Sequence, residues 1–228
     1  MRQPSMRFPV ACLLGLAPMT VSAAGGHFVV DDTVVAGPGN VVAEVWYSRQ
    51  SSGNDERVAV LNYGLHSRGE IGLEAGRERQ EGVDNDLVGL TSKWTLAEYA
   101  AEGIGVAVAG GVFADPDTDR FQEAEVFFPV AVPLGGNDRA MFRYNLGWSH
   151  QRDADDRDVL TWGFGAEAEL VPRVSAIVEI YGDQRDSTEI QTGVRLDLAD
   201  LAALDVGYGR ERRDRGTSWW TVGLAAEF

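Results

Sequence analysis

Carboxylates at every second position are the residues of this chain best placed to do chemistry. Glu44, Glu74, Glu125, Glu167, Glu179 and Asp205 each sit between small or apolar neighbours. In a strand this spacing puts the acids on one face and the apolar side chains on the other. Acids lining a water-filled space attract cations. Only Lys93, Arg143 and Arg195 are expected to bring positive charge to the same faces. A second group, Arg49, Arg57, Arg77, Arg210 and Arg212, falls near segment ends, mostly on the opposite faces. Guanidinium forks there suit phosphate oxygens, and lipopolysaccharide is the expected partner.

Other constellations carry less. Ser67 follows His66, and His150 follows Ser149, which are nucleophile and base types. Adjacent strand residues face opposite ways, so neither pair is expected to meet, and no enzyme activity is expected. Asp115, Asp117 and Asp119 alternate as in calcium loops but lack the following Gly and distant Glu. A solvated loop is expected there, with no metal and no cofactor.

Strands must position these residues. Twelve segments alternate, each close to the length of a tilted membrane strand: 40–49, 57–66, 69–79, 86–96, 103–114, 122–133, 139–150, 158–170, 174–183, 187–198, 203–212 and 217–228. In the seventh, Phe142, Tyr144, Leu146 and Trp148 oppose Met141, Arg143, Asn145 and Gly147. A soluble sandwich would need to cover the charged, glycine-rich faces; a barrel encloses them. Connections after odd segments, such as Gln80 to Asp86 and Gln151 to Asp158, are polar and acidic. Those after even segments, such as Ser67-Arg68, are mostly tighter. The expectation is an all-β, transmembrane antiparallel barrel of about twelve strands with both termini periplasmic. Outward aromatics, including Tyr47, Trp148, Trp220, Tyr63 and Trp94, fall where interfacial girdles belong.

Residues 1–23 read as a cleaved secretory signal: Arg2 and Arg7, an apolar run from Phe8 to Leu16, then small residues ending at Ala23. Cys12, the one cysteine, lies within it, so no disulfide is expected. Losing Arg2 and Arg7 takes the formal charge from −15 to −17. Such acidity argues against nucleic acid as a partner. Residues 24–39 form a lead-in before the barrel, 40–228. Its His27, Asp31 and Asp32 could enter the lumen and act as a plug, or the segment could hang free in the periplasm.

Two resemblances add to this. The last strand alternates Trp220, Val222, Leu224, Ala226 and Phe228, and resembles the signal that the barrel assembly machinery reads at the end of bacterial outer-membrane barrels. His27, Asp31-Asp32, Gly39 and the strand with Glu44, Trp46 and Tyr47 resemble the start of the MetA-pathway-of-phenol-degradation family. That resemblance implies an outer-membrane barrel with a transport role, aromatic compounds being the suggested solutes. The combined expectation is a monomeric, passive, cation-favouring channel for ions or small solutes in outer-membrane lipid. A barrel without conductance, serving structure or surface interaction, is the main competing expectation, with an outer-membrane lipid hydrolase ranked behind it.

Overall fold

A computed structural model describes residues 28–98, 103–135, 139–152, 157–185, 188–212 and 216–228. The signal segment and His27 lie outside the described residues. Twelve strands follow in order: β1 Val41–Gln50, β2 Asp55–His66, β3 Gly69–Gln80, β4 Val83–Ala97, β5 Gly105–Asp115, β6 Arg120–Pro133, β7 Ala140–Gln151, β8 Asp158–Val171, β9 Val174–Asp183, β10 Thr188–Ala199, β11 Ala202–Glu211 and β12 Ser218–Glu227. Each pairs antiparallel with its chain neighbours, and β1 pairs with β12, so the barrel is closed. Closure leaves no strand edge with unpaired backbone groups.

Strand alternation explains both surfaces. Leu61, Leu73, Leu90, Phe128, Leu146 and Phe164 all point outward and are about half exposed. Several sit opposite one another, as in Leu61↔Leu73 and Leu73↔Leu90. They form a belt that suits hydrocarbon, which cannot hydrogen-bond a polar surface. Tyr63, Trp94 and Phe142 border it at the end holding the first and last strand termini; Tyr208 and Trp220 border it at the other. The Tyr47 and Trp220 rings meet edge to face, 5.4 Å apart.

Two details depart from the expected pattern. Gln80 to Asp86 is not a loop. β3 and β4 run on together to a turn at Glu81-Gly82, with φ of 50° and 86°. Both turn positions are left-handed, the geometry that matches the twist of a two-residue hairpin. Arg79 Nε donates to Asp84 across this extension at 2.9 Å. The β5–β6 ladder also lapses opposite Pro129, which has no N–H to give.

Candidate functional site: the barrel lumen

The lead-in runs into the lumen. Gly39 N–H donates to Gly64 O at 2.8 Å and Gly64 N–H donates to Asn40 O at 3.0 Å, tying the lead-in to β2 where it turns inside. Ala36 N–H then donates to the Glu70 carboxylate at 2.6 Å. Thr95 Oγ1 donates to Thr33 O at 2.7 Å, and Lys93 Nζ lies 2.8 Å from Asp31 Oδ2. Across the lumen, Glu179 accepts Val29 N–H at 3.0 Å and Val30 N–H at 3.1 Å. Backbone N–H groups that no strand pairs are thus satisfied by carboxylates of the wall, and a backbone carbonyl by a wall hydroxyl.

Glycines make the room. A Cβ on Gly163 would come within 2.8 Å of Val30 Cγ2, and one on Gly165 within 3.3 Å of Val30 Cβ. A Cβ on Gly193 would meet the Phe28 ring at 2.7 Å. Phe28, Val30, Asp32, Thr33 and Ala36 are all buried. Of the residues expected as a plug, Asp31 and Asp32 lie in the lumen, and His27 lies outside the described residues.

The three cations expected on inward faces meet acids at the level of this segment. Lys93 faces Asp31. Arg143 Nη2 donates to Glu167. Arg195 grips Asp205 with two bonds, Nε to Oδ1 at 2.8 Å and Nη2 to Oδ2 at 2.9 Å. Its guanidinium carbon also lies 5.8 Å from the centre of the Phe28 ring. Buried charges of this kind need partners to persist. All nine residues expected along the lumen, Glu44, Glu74, Lys93, Glu125, Arg143, Glu167, Glu179, Arg195 and Asp205, sit on inward faces.

Beyond the lead-in the lumen opens into a vestibule of about 420 Å³, toward the end opposite the lead-in's entry. Glu56, Glu78, Glu189 and Glu211 line it, with Trp46, Trp219 and Tyr181. Among the described residues that line it there is no lysine or arginine. A second space of about 360 Å³ shares Val29, Tyr181 and Glu189 with it and reaches Glu125. Glu56 falls just before the strand expected at 57–66, which hid it. Tyr181 and Trp219 share inward parity with Glu179 and Thr221, and that signal was available to find them.

The outward arginines Arg49, Arg57, Arg77, Arg210 and Arg212 are exposed. Two meet acids of the chain itself: Arg77 grips Asp86 with two bonds, and Arg57 lies 3.5 Å from Asp55. Trp220 and Phe228, expected to carry the assembly signal, face outward or are exposed.

Two of the lesser constellations come out differently from each other. Ser149 is buried on the inward face, while His150 faces outward and pairs with Asp158 at 2.9 Å. Ser67 Oγ, however, does reach His66 Nδ1 at 3.3 Å, contrary to the expectation from strand alternation. The reason is that Ser67 lies in the β2–β3 turn, beyond the strand. The pair is exposed. Asp115 spends its carboxylate on its own loop, accepting Asp117 N–H at 2.8 Å and Thr118 Oγ1–H at 2.8 Å. Among the described residues no acid or histidine cluster is arranged to hold a metal.

Solved structures share this architecture. A KdgM porin superposes with a TM-score of 0.67 at 6% identity, covering 82% of this chain and 99% of that one. A NanC porin does so with a TM-score of 0.63 at 9% identity, covering 81% and 98%. The COG4313 outer membrane channel from Pseudomonas putida F1 does so with a TM-score of 0.62 at 12% identity, covering 86% and 98%. At such identities the likeness is one of fold. No curated protein matches the sequence. A family model spans residues 12–228, nearly the whole chain, so this chain belongs to the family described as uncharacterised conserved protein UCP029691.

Proposed function

We propose that the chain is a narrow outer-membrane channel for small solutes, passive and cation-preferring, with the lead-in as its constriction. The observation that carries this is the division of charge along the lumen. Lys93, Arg143 and Arg195 are all engaged with acids beside the lead-in, while Glu56, Glu78, Glu189 and Glu211 line a vestibule whose described lining residues include no lysine or arginine. A permeating cation entering there meets a cluster of carboxylates, and an anion is repelled. The fold neighbours support a channel: they are porins and an outer-membrane channel. One of them is a KdgM porin in complex with oligogalacturonate, a polyanion. The acidic vestibule here is the wrong sign for such a solute. The lead-in's resemblance to the phenol-degradation family adds aromatic compounds as candidates, and Trp46, Trp219 and Tyr181 offer faces for them to stack on.

The buried lead-in favours a second reading, a barrel closed in its resting state that serves structure or surface interaction. Both readings meet in one experiment. The refolded chain is placed in a planar bilayer, and single-channel current and reversal potential are recorded across a potassium chloride gradient. Discrete cation-selective steps are expected. Anion selectivity would overturn the acidic-vestibule argument. Silence relieved by deleting residues 28–36 would favour the closed barrel.

A further inference from the structure

The vestibule is more than an acidic mouth, because aromatic faces are built into its wall. Trp219 is the clearest. Its indole lies against Gly209 on β11, where a Cβ would run into ring atoms Cε2, Cζ2 and Nε1. Nε1 donates to Gln191 Oε1 at 3.1 Å. One ring face is thus held on the barrel backbone and the edge is anchored, so the other face is presented to the cavity it lines. Trp46 and Tyr181 line the same cavity as Glu56 and Glu189, so the acids share their wall with aromatic rings. The space, about 420 Å³, would hold a molecule of some ten heavy atoms with its water.

A simple metal cation needs only carboxylates and water. Fixed aromatic faces beside carboxylates are the recognition chemistry of organic cations, whose charge is spread over alkyl groups that prefer a π face to water. We infer that this vestibule binds small organic cations of the quaternary or alkyl ammonium class before they pass the lead-in. The carboxylates supply the charge, and Trp46, Trp219 and Tyr181 supply the fit. The inference deepens the channel reading and rests on the same acidic vestibule. It differs in naming the solute class and in requiring the aromatic wall.

The test is calorimetric titration of the refolded full chain in detergent at fixed ionic strength. The probes are choline, its uncharged isostere 3,3-dimethylbutanol, and glucose. Choline is expected to bind saturably and at least about tenfold more tightly than the isostere. Glu189→Gln and Trp219→Leu should each weaken choline about tenfold, while Trp219→Phe, which keeps a π face, should weaken it less. Equal binding of choline and the isostere, tighter binding of glucose, or no heat with choline would each overturn the inference. The comparison among probes on the unaltered chain stands even if a variant fails to fold. Cation-selective currents without choline binding would sink this inference and leave the channel. Choline binding without current would sink the channel and leave the site.

Discussion

Arg195 on β10 and Asp205 on β11 lie opposite each other in the sheet register and share two hydrogen bonds, at 2.8 and 2.9 Å, inside the barrel. Both side chains are nearly wholly buried, and Arg195 also lies 3.8 Å from Glu167. A fork on a carboxylate fixes orientation as well as charge, so the pair holds the guanidinium beside Phe28.

Breaking that pair on one side should therefore be costly. Arg195→Met leaves Asp205 buried and unanswered, and is expected to destabilise the barrel by about 3–5 kcal/mol. The double change Arg195→Met with Asp205→Leu removes both charges and should cost less than the single one. Urea unfolding in detergent, followed by tryptophan fluorescence, measures both. Equal losses would mean that the pair contributes little beyond packing.

Lumen glycines should control whether the lead-in stays seated. Gly163→Val puts branched carbon where Val30 now lies, with only 2.8 Å from the added Cβ to Val30 Cγ2. Val30 is 1% exposed, so a cysteine introduced there should react slowly with a maleimide in the parent chain. The chain's own cysteine, Cys12, lies in the expected signal segment and does not interfere once that is removed. Labelling at position 30 should speed up about tenfold or more in Gly163→Val, with a rise in single-channel conductance. Fast labelling in the parent would argue against a seated lead-in.

The point of entry is equally tight. Gly64 packs against the carbonyls of Ala36 and Gly37, and a Cβ there would overlap both. Neither neighbour is the end of a flexible side chain, so backbone must move. Gly64→Ala is expected to cost about 1–3 kcal/mol, the range for overpacking, and to free the lead-in. Urea unfolding and the labelling assay at position 30 check the two halves of that statement.

Much of this was legible because a strand has a period of two. Leu61, Leu73 and Leu146 face out and Glu179, Arg195 and Asp205 face in by the same parity, and a closed barrel gives parity only two meanings, lipid or lumen. Turn geometry was less legible. Glu81-Gly82 closes a hairpin through two left-handed residues, and the surrounding Asp84 and Asp86 read as loop because charged residues are rare in half-buried strands. Here they stand on an exposed strand extension opposite Arg79 and Arg77. The seat of the lead-in was not legible at all from periodicity. Its backbone bonds to Glu179, Glu70 and Thr95, over separations in sequence no local pattern spans.

Salt should separate the two kinds of charge in the lumen. Glu56, Glu78, Glu189 and Glu211 line an open vestibule and act on ions across water. Raising salt from about 0.1 M to 1 M shortens the screening length from about 10 Å to 3 Å. Cation preference, read as the shift in reversal potential, should therefore fall steeply over that range. The double change Glu56→Gln with Glu78→Gln should lower the preference at 0.1 M in the same direction and make it less dependent on salt. The pairs that seat the lead-in, Lys93 with Asp31 and Arg195 with Asp205, are direct contacts within 2.9 Å, shut away from ions. Screening acts on them far less, so labelling at position 30 should hardly change over the same range. Selectivity that persists at 1 M would place the filter at the seated lead-in, where contacts are direct, and not in the vestibule.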